Sequence, residues 1–223
     1  MSEDDDTQGE GEGAIGSTFL AGPWHPVEGE EAEGFLDMVG PVYGRYKVST
    51  ETTEVAWRPL PFYEQVVLIR MRDPAWGNPD LTLYHLADEG TPYPLNGTSP
   101  PIHEINAKAP IDITEDNVLD YLRFFCYFVR GEEGPFYLAE TMDDPVMPKD
   151  MEEATRAVIE GAVRPASYEG MNDKGDFLCD AVVFYSDGLF LANFAVQPGG
   201  MIEMLSDQRL VEDLPTRVNS PIA

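Results

Sequence analysis

Residues 177–205 read FLCDAVVFYSDGLFLANFAVQPGGMIEML, and this stretch decides the fold class. Asp187-Gly188 stands between two apolar runs, the strongest short-range signature of a two-residue β-hairpin. With that turn, Tyr185 faces Phe190, Val183 faces Ala192, Ala181 faces Phe194 and Cys179 faces Val196. Directly opposed residues share a face of the sheet, so one side is wholly apolar and has to be covered. Pro198-Gly199-Gly200 marks a second turn and makes the segment a meander. The other face mixes Leu178, Val182, Phe184, Leu189 and Leu191 with Asp180, Asn193 and Gln197. It is open to coverage by a helix at 114–130 or by a second chain.

Working upstream, residues 114–130 predict a helix. Thr114 suits its cap, Glu115, Asp116 and Asp120 suit its positive end, and Arg130 suits its negative end, with Gly131 as the stop. Val118, Leu122, Phe125 and Val129 form one apolar stripe, which Leu119 and Cys126 widen. Phe124 and Tyr127 lie on another side, so the helix is buried on more than one face. Strand-like segments occur at 53–58, 63–72, 81–87 and 136–139, and short helices are expected at 30–39 and 148–160. Residues 88–110 carry five prolines, with Asn96-Gly97 and Pro100-Pro101 as breakers, and read as a long loop. Strands and helices do not alternate regularly. The reading is an α+β fold: an antiparallel sheet with a C-terminal meander, packed on one long central helix (114–130), with one or two short helices.

Residues 1–14 are acidic and Gly-rich and bury too little to order themselves, so a disordered tail is expected. Residues 15–46 carry Phe19, Leu20, Trp24 and Phe35 and read as a docked N-terminal arm, with Trp24-His25-Pro26 against the domain. Residues 47–223 form a single α+β domain in this reading.

Charge bounds the function classes. Forty-one acidic residues against fourteen basic ones give a formal charge of −27 over 223 residues. Such a field repels phosphate backbones and anionic membrane surfaces, so neither nucleic acid nor membrane is expected as a partner. It attracts basic protein surfaces, although a saline habitat or an acidic proteome produces the same number. The N-terminus lacks the features of a secretory signal, and the densest apolar run, 124–129, is too short to span a bilayer. Two cysteines make no disulfide framework. A cytoplasmic, reduced protein without a cofactor is expected.

No Gly-x-Ser-x-Gly elbow and no phosphate-binding glycine loop is present, and Cys126 and Cys179 sit in apolar surroundings that make thiols inert. His25, His85 and His103 have no metal-ligand spacing, so no metal is expected. One contrast survives. Residues 41–108 hold six basic and eight acidic residues, nearly balanced in a chain that elsewhere is strongly acidic. Arg70 and Arg72 flank Met71 and therefore project from one face of a strand. That pair can hold a carboxylate or phosphate, while its ordinary use is to neutralise neighbouring carboxylates. Arg70, Arg72, His85 and His103 are the candidate ligand-binding residues, gathered under the 88–110 loop, with a histidine as proton shuttle.

Two function classes follow. The first is a soluble, acidic, non-enzymatic interaction protein of inhibitor, immunity, chaperone or adaptor type, binding a basic surface of a protein partner. The alternative is a small enzyme or ligand-binding domain with the anion pocket near Arg70, Arg72 and His85. With no recognisable catalytic motif, the sequence leans to the first.

Overall fold

The computed structural model describes residues 20, 22–78, 81–144 and 146–214, so the acidic tail 1–14 lies outside the described residues. The first half of the chain runs β1 (His25–Val27), α1 (Gly29–Val39), β2 (Val42–Tyr43), β3 (Tyr46–Lys47), β4 (Glu54–Pro59), β5 (Val67–Arg72), β6 (Leu83–Asp88) and β7 (Thr91–Pro94). Then come α2 (Pro100–Lys108), α3 (Val118–Phe128), β8 (Arg130–Gly131), β9 (Gly134–Pro135), β10 (Tyr137–Leu138) and α4 (Glu153–Ala162). The chain closes with β11 (Ser167–Met171), β12 (Phe177–Tyr185), β13 (Gly188–Val196) and β14 (Ile202–Val211). The fold is α+β, with antiparallel sheets, four α-helices among the described residues and a C-terminal meander.

Two sheets dominate. The first has the order β1-β4-β5-β6-β7; the second has the order β10-β12-β13-β14, with β11 also on β12. Period-two patterning explains how each is covered. Along β5, Leu68 points with Leu86 and Tyr84 of β6 into a central cluster, while Ile69 and Met71 point to the outer face. Helices α2 and α3 fill the central layer, with Ile102, Ile105, Val118, Leu122, Phe124 and Phe128 fully buried. Phe177, Cys179, Ala181, Val183, Ala192, Phe194 and Val196 close that layer from the second sheet. Phe35 and Leu36 of α1 cover the outer face of the first sheet. Ile159 of α4, with Ala139, Val146, Met147 and Leu214, covers Val182, Phe184 and Leu189 on the outer face of the second. The layers therefore run α1, sheet, α2–α3, sheet, α4.

That arrangement answers which element covers the mixed face of the hairpin: α4 does, with Ala139, Val146, Met147 and Leu214, and not the central helix. Asp180 and Asn193 on it are paired across the strands, with Asn193 donating to Asp180 and Ser206 donating to Asn193. The hairpin itself is displaced by one position from the expected turn. Ser186, at φ 55°, and Asp187 form the corner, and Tyr185 pairs with Gly188, Val183 with Phe190 and Cys179 with Phe194. Each residue's partner thus moves by two, which keeps every side chain on the expected face. Gly188 is needed for space, since a Cβ there would lie 2.9 Å from the Phe190 ring.

The long loop expected at 88–110 is instead mostly ordered into elements. Glu89 and Gly90 both take positive φ and turn β6 into β7, as a type I′ hairpin requires. Pro100 and Pro101 open α2 instead of breaking the chain, because the first helical turn has no amide partner to lose. Helix α3 occupies residues 118–128 within the expected 114–130. Residues 114–117 form a turn in which Asn117 Oδ1 accepts from the Thr114 amide. Gly131 lies beyond the helix in β8, where a Cβ would strike the Tyr185 phenol. The helix expected at 148–160 runs Glu153–Ala162.

A polar network joins the central layer to the β13–β14 turn. The Tyr63 hydroxyl donates to Asn106 Oδ1, Asn106 Nδ2 donates to the Tyr121 hydroxyl at 3.2 Å, and Tyr121 donates to the Gly200 carbonyl at 2.6 Å. Gly200 has φ 86°, and a Cβ on it would meet the Asn106 amide and the Tyr121 hydroxyl. Gly200→Ala is therefore expected to lower stability by about 2–3 kcal/mol, from left-handed strain plus a disrupted buried network. Urea denaturation measures it; a loss below about 0.5 kcal/mol, the range of ordinary surface changes, would show that the turn relaxes freely.

Candidate functional site

The four candidate residues do not form one site. Arg70 pairs with Tyr84 across β5 and β6, and His85 pairs with Ile69, so His85 lies on the opposite face of the sheet from Arg70 and Arg72. His103 lies on α2, its ring 5.9 Å from Phe125 of α3. The shared pocket anticipated for Arg70, Arg72, His85 and His103 is thus divided by the sheet. The register of β5 against β6 decides this, since it sets Tyr84 and not His85 opposite Arg70.

His85 is 1% exposed, with the Phe35 and Tyr43 rings edge-on at 5.9 and 5.2 Å. Burial brings its pKa down to about 4, and its Nδ1 has no hydrogen-bond partner among the described residues. It is a neutral packing group at physiological pH. Partial burial also lowers the pKa of His103. Cys126 and Cys179 are free and buried, with their thiols pushed up to about 12 by burial, so neither is poised as a nucleophile.

Arg70 and Arg72 line a cavity of about 330 Å³ at the β1–β4 end of the first sheet, together with Trp24, Pro26, Glu28 and Glu54. The Arg70 guanidinium stacks 4.5 Å from the Trp24 ring, and Arg58 lies 5.6 Å from the same ring. Trp24 reaches this position because the preceding arm adds β1 to the edge of β4, with His25 opposite Trp57. A larger groove of about 390 Å³ lies between α1 and the outer sheet face, walled by Phe35, Val55, Trp57, Val67 and Ile69 with Glu30 and Glu31 also lining it. Its apolar walls offer packing rather than chemistry.

A third region was not anticipated. The first sheet ends on β1, only three residues long, and on β7, where Pro92 and Pro94 blunt the edge. In the second sheet β14 pairs, among the described residues, only with β13, runs ten residues without a proline, and is exposed at every position from 203 to 209. Met201, Met204 and Leu205 are 49%, 40% and 51% exposed. Two register shifts interrupt its pairing, and acidic Glu203 and Asp207 stand along it; both devices guard an edge against indiscriminate pairing.

Beside this edge is a cleft of about 280 Å³. Register places Met204, Asp207 and Arg209 opposite Phe194, Ala192 and Phe190, hence on the inner face. The hairpin corner contributes Asp187 and the β8–β9 turn contributes Glu133, whose amide donates to the Tyr185 hydroxyl at 3.0 Å. Phe136 and Tyr185 stack at 4.4 Å on one wall, and Arg209 lies 5.1 Å from the Phe190 ring on another. Rings and carboxylates together favour a cation. The three carboxylates come from separate parts of the chain, which is why no spacing pattern announced them. The signal that was present is the run 201–213, MIEMLSDQRLVED, whose polar residues fall on both strand faces, as they do on an edge strand.

Among the described residues, no three His, Cys, Asp or Glu side chains gather closely enough to hold a metal ion. No helix among them is long and apolar enough to cross a membrane. The chain matches no protein-family model, no curated protein and no solved structure.

Proposed function

We propose that the protein is a non-enzymatic interaction protein that receives an extended, basic segment of a partner protein along the free edge of β14. The observation that carries this reading is the union of that edge with the acidic, aromatic cleft beside it. An added strand gains main-chain hydrogen bonds from the edge, and alternate side chains supply specificity. A lysine or arginine of the segment enters between Glu133, Asp187 and Asp207, beside rings that already carry Arg209. The formal charge of −27 speeds encounter with a basic surface and makes binding salt-sensitive.

The test is capture of partners on the immobilised intact chain at low and high salt, read by mass spectrometry. A Leu205→Lys/Asp207→Lys variant, altered only at exposed positions, is run beside it. A basic partner is expected that is lost at high salt and retained about tenfold less by the variant, a change of roughly 1.4 kcal/mol. Met38→Lys, on the far side of the fold, is expected to bind as the natural sequence does. A partner held equally by the β14 variant would overturn the reading.

A further inference from the structure

Arginines without carboxylate partners are unexpected in a chain with 41 acidic and 14 basic residues. Lys108, Arg123 and Arg209 stand in ion pairs with carboxylates. Arg70 and Arg72 have no carboxylate within ion-pair distance among those residues. Arg70 is instead braced on Trp24, and Arg72 Nε donates to Thr82 Oγ1 at 3.0 Å. Burial and then the charge of Arg72 lower the pKa of Arg70, and the smaller opposing pull of Glu54, which stands opposite Arg72 in the register, does not offset them. A carboxylate is the planar, two-oxygen group that a pair of guanidinium forks recognises best.

The rest of the cavity narrows the ligand. Glu28 and Glu54 line it too, and both are exposed. These carboxylates and the acidic field repel dianions such as phosphate esters, and they attract an ammonium group. A volume of about 330 Å³ suits a ligand of a few heavy atoms. We propose that this cavity binds a free α-amino acid. Its carboxylate bridges Arg70 and Arg72, its ammonium lies towards Glu28 and Glu54, and an apolar side chain lies along Pro26 and Ala56, which share the face of Arg70. The ligand is net neutral, so it enters against no electrostatic barrier. Trp24 acts as a positioning residue that fixes the direction of the Arg70 fork. The site belongs to the first sheet and stands independently of the β14 edge.

Titration calorimetry of the intact chain with each of the common L-amino acids tests this. At least one apolar amino acid is expected to bind, about tenfold or more tightly than its decarboxylated amine, its deaminated acid or inorganic phosphate. An Arg70→Gln/Arg72→Gln variant is expected to lose that binding, and Glu54→Gln to weaken it less. Circular dichroism melting establishes that each variant is folded. Arg72→Lys, which keeps the charge but not the fork, is expected to retain weakened binding. Tighter binding of phosphate than of any amino acid would overturn the proposal. So would the absence of heat from every amino acid, or unchanged amino-acid binding in the double arginine variant.

Discussion

Replacing Glu140 by alanine is expected to destabilise the protein by about 3 kcal/mol, the lower end of the cost of breaking a buried pair, because Arg123 Nη1 keeps the more exposed Asp120 at 3.0 Å. Arg123 projects from α3 and meets Glu140 with both forks, Nε to Oε2 and Nη2 to Oε1, each at 2.8 Å. The side chain of Glu140 is only 9% exposed and that of Arg123 19%, so water compensates little when either is removed. Glu140 does more than pair. Its Oε1 also accepts from the Ala166 amide at 3.0 Å, just before β11. The amides of Glu140 and Thr141 donate to Asp144 Oδ2 at 2.6 and 2.9 Å, which holds the segment that covers the outer face of the second sheet. One cluster thus ties the central helix to that sheet and to its outer cover. The hydrogen bonds from Arg123 to Glu140 explain why the Arg123 pKa is raised despite burial. Urea denaturation of Glu140→Ala measures the loss. Replacing both partners, as Arg123→Met/Glu140→Leu, is expected to recover most of it, since no orphaned charge remains. A single-variant cost below about 1 kcal/mol, the value of an exposed pair, would mean that the cluster is solvated.

Acid is expected to weaken the fold through His85. Its folded pKa of about 4 lies below the ordinary value of 6.5, so between those two pH values the unfolded chain binds a proton that the native state refuses. Stability therefore falls as pH drops through this window and levels off below about 4, where the native ring also protonates. The difference is worth roughly 3 kcal/mol across the window. Carboxylates titrate in the same range, so the contribution is read as a difference between the natural chain and His85→Phe. That variant keeps an aromatic ring against Phe35 and Tyr43 and removes the orphaned Nδ1. Chemical denaturation at a series of pH values is expected to show a shallower loss for His85→Phe between pH 6.5 and 4. Parallel curves would mean that His85 gains water or a partner on protonation.

Much of the architecture was legible because it rests on short-range patterns. The alternation of apolar residues in 177–196 identified the inner face of the hairpin, and a two-residue displacement of partners left that face unchanged. The apolar girdle of residues 118–128 announced a helix buried on several sides, and it lies between two sheets. Proline misled where position matters more than identity: Pro100-Pro101 starts a helix, whereas Pro92 and Pro94 sit on an edge strand. The four candidate residues were grouped wrongly for a different reason. Arg70 and Arg72 share a face by their own spacing, but joining His85 to them needed the register of β5 against β6, which no local pattern supplies. The acidic cleft is lined by residues 133, 187 and 207, which lie far apart in the sequence. Such separations become visible only once the strand order is known.

The free edge of β14 carries the functional account, and hydrogen exchange of the complex with the captured basic partner tests it most directly. Outward-facing amides between Glu203 and Arg209 are expected to exchange quickly in the free protein and to be protected in the complex, as an added strand takes their hydrogen bonds. Unchanged exchange along β14, with protection arising elsewhere, would contradict the account.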